Sequence, residues 1–175
     1  MSQQPLAQAL QRVQKVLERR PETGLHDDAP ASVRWSGGTR MLASHANGTL
    51  VPTDMPAELG GTGDQVTPGW LFRAGLASCA ATSIAIAAAA RGIELTLLEV
   101  DAGSRSDTRG LLGMAGADGQ PVFAGPGDLT LTVRIGAEGV APERLRELVE
   151  SGVGCSPVPA AVRTLTPLAL RIETR

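Results

Sequence analysis

The sequence contains no tyrosine and only four aromatic residues in 175, namely Trp35, Trp70, Phe72 and Phe123. That is too few to build a base-stacking platform for single-stranded nucleic acid. Nor is there a basic run or face to compensate. The 16 basic residues are balanced by 18 acidic ones, a net charge of −2 spread along the whole length, so the electrostatic footprint of a nucleic-acid binder is missing. Lysine occurs once, at Lys15, and the other basic residues are arginine, a bias we ascribe to codon usage rather than to chemistry. Cys79, Cys155, His26 and His45 could together supply four metal ligands, but no CxxC or HxxxH pair organises them, and the usual zinc frameworks are excluded. The glycine-rich stretch 56–68 (PAELGGTGDQVTP) lacks the GxxxxGK[ST] pattern and a dinucleotide fingerprint around it, so it is no phosphate cradle. Neither a metal nor a cofactor is expected. The N-terminus lacks a charged segment followed by an apolar one. A cytoplasmic location is expected, where a structural disulfide does not persist.

What is present is an ordinary globular mixture, 42% hydrophobic and 19% charged, of a length that suits one domain. Leu6, Leu10, Val13 and Leu17 recur at spacings of three and four and predict a helix over 5–20, opened by Pro5 and stopped by Pro21 and Gly24. Residues 22–30 read as a polar connector, which sets 1–30 apart from a domain over 31–175. Three short β segments follow, 31–35, 39–44 and 49–52, separated by GG at 37–38 and by NG at 47–48, the second a strong hairpin signal. Pro68 opens a long helix that Gly92 stops, and residues 74–90 carry no charge. These uncharged residues are mostly Ala, Ser, Thr and Cys, too short and too weakly apolar a run for a membrane span. Instead they are expected at the buried centre of a globular protein or an oligomer. Beyond them the pattern predicts a strand over 94–107, a loop over 109–126, an alternating strand over 127–135, a helix over 142–154 and a closing strand over 167–173. Helices alternate too rarely with strands for a doubly wound sheet, so the class is α+β.

Cys79 lies on the long helix, where a free cysteine can be merely a small buried hydrophobe. Cys155 follows the second helix at a Gly/Pro break. One cysteine on a helix and one at a helix end could meet as a reactive thiol and a resolving thiol. A reactive thiolate needs positive charge nearby, which here only arginine is placed to supply. Glu58, His26 and His45 read as solvated loop residues. Arg105 and Arg109 beside Asp107 read as a solvated turn, and Trp70 and Phe72 as packing residues, one option being beside Cys79.

The words ELGGTGDQVTPGWLFRAGLASC, RGIELTLLEVDAGS and TLTVRIGAEGVAPERLRELVESGVGCSPV resemble, in order, the OsmC/Ohr family, over roughly residues 31–175. The resemblance implies β-sheets wrapped around long central helices in an intertwined homodimer. It also implies thiol-dependent reduction of organic hydroperoxides, with a dithiol reductant reopening the disulfide formed. Cys79 would be the peroxidatic residue, Cys155 the resolving one, and Arg40, chosen over Arg34, the cation of the early hairpin. The family's peroxidases usually carry a Glu after the helix-opening Pro to hold that arginine, where this sequence has Gly69. They place the second Cys directly before Pro-Val, where this sequence has Ser156. Those departures leave open an alternative: an OsmC-like protein that binds a small ligand and has little peroxidase activity.

Overall fold

The structure, a computed structural model, describes residues 4–164 and 166–174. The apolar stripe at its N-terminus forms α1 (Gln4–Arg19), which ends in a single 3-10 turn at Pro21–Gly24, as the proline and glycine dictate. Leu10 and Leu17 on its stripe are half-buried, whereas Leu6, Val13 and Val16 remain exposed.

The chain divides into two compact units, one formed by Ala9–Gly75 and the other by residues 4–8 with those from Leu76 onward. The first holds a three-stranded antiparallel meander of β1 (Ser32–Trp35), β2 (Met41–Ser44) and β3 (Leu50–Thr53). Ser32 faces Ser44 and Trp35 faces Met41 across one ladder, and Met41 faces Thr53 across the next. Gly37, Gly38 and Gly48 sit at positive φ in the two connections, which is what the GG and NG signals demand of a tight turn. After β3 the glycine-rich loop passes through a one-turn 3-10 helix (Ala57–Leu59).

α2 (Pro68–Ala90) begins in this unit and continues in the other. Thr67 opens it: its Oγ1 accepts a hydrogen bond from the Trp70 amide at 3.1 Å, an N-cap that satisfies one orphan donor of the first turn. At 23 residues α2 is long and apolar enough, on length and composition alone, to cross a membrane. The uncharged core 74–90 reads as too short because it leaves out 68–73, which extend the helix by more than a turn. Within the single chain its burial is one-sided. Leu76, Ala80, Ile84 and Ala88 form one buried stripe with Ala89 beside it, while Ser78, Thr82, Ile86 and Ala90 line another stripe, on which Ile86 is exposed.

The second unit places α2 beside a two-stranded antiparallel ribbon of β4 (Leu95–Arg105) and β5 (Gly127–Ala137) and beside α4 (Pro142–Gly154). Leu98 faces Ile135, Val100 faces Val133 and Ala102 faces Leu131, so the alternation of β5 turns its aliphatic residues to one side. Ala88, Leu145 and Leu148 make the core, flanked by Ile93, Leu95, Ile135 and Val140. Gly152 is a point of close approach between α4 and α2, since a Cβ there would stand 2.8 Å from the Ile84 Cα. The loop after β4 contains α3 (Thr108–Leu111), capped by Asp107, whose carboxylate accepts from the Arg109 amide at 2.9 Å and pairs with the Arg109 guanidinium. That is the solvated turn read from the sequence.

Two elements depart from expectation. The Pro-rich stretch after α4 forms a short helix, α5 (Pro157–Arg163), where proline reads only as a stiffener. Proline is tolerated in a first helical turn because the N–H it lacks has no partner there. The expected closing strand over 167–173 is absent: the backbone is unpaired and Leu168, Leu170 and Ile172 are 96%, 83% and 76% exposed. Its alternation suits a strand, but an alternating segment forms one only where a neighbouring edge supplies hydrogen bonds.

Candidate active site around Cys79

Cys79 projects from α2, half-buried, with Leu76 one turn before it and Ala80 after it, both fully packed. What meets its sulfur is the junction of α4 and α5. There Ser156 is completely buried, and its Oγ donates to the Cys79 Sγ at 3.2 Å. The Val158 amide donates to the same sulfur at 3.4 Å. Local sequence explains both contacts. Pro157, Val158 and Pro159 open α5, and of these three only Val158 has an N–H to give. Ser156 occupies the N-cap position but makes no side-chain capping bond, so its hydroxyl is released to the sulfur. The helix start is closed instead by the Ala160 amide on the Ser156 carbonyl at 2.9 Å. Two fixed donors converging on one sulfur form a cradle for a sulfur atom that carries or develops negative charge.

Cys155, the other expected thiol, is the C-cap of α4 and is exposed. Its amide is held by the Ser151 and Gly152 carbonyls, each at 3.3 Å. The structure brings Ser156, not Cys155, to the Cys79 sulfur, and both cysteines are free thiols. A cleft of about 170 Å³ lies nearby, lined by Leu76, Leu129, Leu131, Val153, Pro159 and Val162 together with Thr130 and Arg163. Leu76 is a helical turn from Cys79, and Val153 and Pro159 flank Ser156 in the chain. Neither Cys79 nor Ser156 lines that cleft, nor do they line two larger ones, of about 480 and 580 Å³, at the β5–α4 face and the Arg105–Arg109 loop.

Arg40 stands at the end of the turn into β2, in the meander unit. Its Nη2 donates to the Asp64 Oδ1 at 2.6 Å and to the Thr62 Oγ1 at 2.7 Å, and its Nε lies 3.6 Å from the Asp54 Oδ2. Asp54 is itself buried, with relative exposure of 1%. It accepts from the Thr39 hydroxyl, the Met55 amide, and the Thr62 amide and hydroxyl, at 2.6 to 2.9 Å. The Thr39 hydroxyl is the largest of the influences that hold the Asp54 carboxyl far below the usual carboxylate range. The hydrogen bond from Arg40 pulls Asp64 down to about 2, and Asp64 in turn raises Arg40. Arg34, the other candidate, is exposed on β1 opposite Leu42.

Glu58 and His26 are exposed, the latter 3.8 Å from Asp28. His45 serves the β2–β3 turn by accepting from the Asn47 amide at 3.1 Å. Trp70 and Phe72 are 48% and 37% exposed, against the expectation that they pack. Among the described residues, no group of three or more His, Cys, Asp or Glu is placed to hold a metal ion. Sequence reading missed Asp54, Thr62 and Asp64. The available signal was an Asp directly after the β3 pattern, followed by Thr-Gly-Asp in a glycine-rich loop, short polar side chains of the kind that bond to nearby backbone.

The family model described as OsmC-like protein matches residues 61–171, and the chain belongs to that family. An OsmC-like protein from Mycoplasma pneumoniae has a similar solved structure, with TM-score 0.66 at 15% identity, covering 81% of this chain and 91% of that one. An organic hydroperoxide resistance protein OsmC from Legionella pneumophila gives 0.56 at 22%, covering 79% and 91%. The organic hydroperoxide resistance protein OhrB of Bacillus subtilis gives 0.51 at 24%, covering 79% and 93%. At these identities the likeness carries the fold alone. Comparison with curated protein sequences finds no match.

Proposed function

We propose that the protein is a thiol-dependent peroxidase that reduces organic hydroperoxides through Cys79. The observation that carries this reading is the pair of donors, the Ser156 hydroxyl and the Val158 amide, converging on the Cys79 sulfur. The names of the Legionella and Bacillus proteins support it, and the cleft beside Leu76, aliphatic except for Thr130 and Arg163, suits an alkyl or aryl group.

In the reaction the Cys79 thiolate attacks the outer oxygen of ROOH. An S–O bond forms, the O–O bond breaks, and the leaving alkoxide takes a proton to become ROH, so that Cys79 becomes a sulfenic acid. A thiol then attacks the sulfenic sulfur and expels water, and a second thiol attacks the mixed disulfide to regenerate Cys79. The net change is ROOH plus two thiols to ROH, water and a disulfide. Because Ser156 occupies the place against Cys79, we assign the resolving step to an external thiol, such as a small dithiol, rather than to Cys155. Arg40 is the proposed cation of the reaction, on the strength of the family resemblance.

The same reading makes the protein a cytoplasmic homodimer. In support, the Ser78–Thr82–Ile86–Ala90 stripe of α2 carries no charge, and Ile86 on it, together with Leu168, Leu170 and Ile172, is exposed. Light scattering at low micromolar concentration is expected to give twice the mass of 18.0 kDa.

The test of the chemistry is peroxide consumption with cumene hydroperoxide and dithiothreitol, together with dimedone labelling after one equivalent of oxidant. Wild type is expected to be labelled at Cys79, and Cys79→Ser to consume nothing above the reagent blank. The apolar cleft favours one second reading, a small-ligand-binding protein. Unlabelled Cys79 and a mutant as active as wild type would decide for it.

A further inference from the structure

The residue that is expected to hold the arginine, a carboxylate after the helix-opening proline, is absent at Gly69. A Cβ on Gly69 would meet the Arg73 guanidinium at 3.6 Å and the Thr67 hydroxyl at 3.9 Å. Arg40 is nevertheless held. Its guanidinium is engaged along Nε and Nη2 by Asp54, Thr62 and Asp64. We propose that Asp54 and Asp64 are positioning residues for Arg40, a carboxylate clamp from the segment after β3 that replaces the missing carboxylate of α2. The proposal rests on the reading of Arg40 as the cation of the peroxidase reaction.

Three observations make this a clamp rather than a chance pairing. Asp54 is rigid: it is buried, and four donors from three residues fix both of its oxygens. Those donors come from the turn before Arg40 (Thr39) and from the loop after β3 (Met55, Thr62), so the carboxylate ties the arginine's own turn to the loop that carries Asp64. The loop in turn can close only because residue 61 is glycine. A Cβ there would lie 1.8 Å from the Met55 carbonyl oxygen and 2.9 Å from the Asp54 Oδ1. The Thr62 hydroxyl completes the device. It accepts from Arg40, and its single proton is shared between Asp54 and Asp64. An arginine side chain has many rotamers, and a catalytic cation loses effect when its aim is lost. Here one end of the guanidinium is bound to a buried anchor and a surface one, which leaves its charge in place and restricts its direction.

Asp64 is half-exposed and can be replaced without opening the core, so the test turns on it. The rate constant for oxidation of Cys79 by cumene hydroperoxide would be measured by stopped flow in wild type, Asp64→Asn, Asp64→Glu, Arg40→Gln and the Arg40→Gln/Asp64→Asn pair. Arg40→Gln is expected to lower the rate about 100-fold, as for loss of one charge-stabilising donor. Asp64→Asn is expected to lower it about tenfold through loss of aim, and Asp64→Glu to restore most of that. The double variant is expected to match Arg40→Gln alone, because a positioning residue has nothing left to position. A wild-type rate in Asp64→Asn, or the same tenfold loss in both Arg40 backgrounds, would overturn the clamp while leaving Arg40 in its role. A wild-type rate in Arg40→Gln would overturn that role itself, and the clamp with it. Asp64→Ser provides the same comparison should the Asn variant fail to fold.

Discussion

The surroundings of Cys79 and of Arg40 differ in kind. Among the described residues the cysteine meets neutral donors, one hydroxyl and one amide, both set by the start of a short helix. The arginine meets two carboxylates, one buried and one half-exposed, within a hydrogen-bonded loop. A thiolate reacts, so its partners must stabilise charge without neutralising it by proton transfer; a hydroxyl and an amide satisfy that requirement. A guanidinium keeps its proton throughout, so it can be gripped by full negative charges. Under the proposed function the two regions divide two tasks, stabilising a reactive sulfur and aiming a fixed charge.

That division can be broken first at Ser156. Ser156→Cys would place a thiol where a hydroxyl now touches Cys79 at 3.2 Å, so a small adjustment reaches the bond length of about 2.05 Å. Peroxide is then expected to drive an intramolecular disulfide between Cys79 and the introduced thiol. Mass spectrometry would show loss of two hydrogens in place of an oxygen adduct. Ser156→Ala, which removes one donor and leaves the Val158 amide, is expected to slow Cys79 oxidation about tenfold, the value of one hydrogen bond to a charged group. An unchanged rate would mean that the hydroxyl only packs.

Next in size is a packing test of the scaffold under Cys79. Gly152→Ala would drive a methyl group to 2.8 Å from the Ile84 Cα and 3.0 Å from its Cγ1. Overpacking of this sort costs about 1–3 kcal/mol. A lower unfolding midpoint by calorimetry is expected, with Cys79 still labelled by dimedone.

The smallest effect expected is on acid stability, in the Arg40 region. Asp54 and Asp64 titrate below the ordinary 3.8 in the folded protein, Asp64 at about 2. The unfolded chain therefore binds more protons in that interval. The stabilisation they confer is complete above the unfolded value; the part due to Asp64 is lost as pH falls from about 4 towards 2, and the part due to Asp54 continues to be lost at lower pH still. Chemical denaturation is expected to show stability falling through that window, with a shallower fall in Asp64→Asn. Equal slopes would show that the carboxylate is not stabilised by its neighbours.

Much of this was legible before the structure. Spacing alone located α1, the meander with its GG and NG turns, α2, the ribbon strands and α4, because each element carries its own period or its own punctuation. Cys79 stood out through the words around it. The rest depends on groups distant in sequence. Ser156 reaches Cys79 across 77 positions and Asp64 reaches Arg40 across 24, and no local period records either. Two prolines concealed α5, since proline reads as a breaker unless it falls in a first turn. The segment 167–173 has a strand's alternation, but pairing is a property of two strands and a sequence displays only one.

The prolines on either side of Val158 also make that residue a spectroscopic sentinel. In an amide NMR spectrum neither neighbour contributes a signal, so Val158 is the lone backbone resonance at the start of α5, and its proton points at the sulfur. Oxidation, alkylation or disulfide exchange at Cys79 changes what that proton sees. The state of the thiol can therefore be followed in solution through one native N–H, with no label attached to the cysteine.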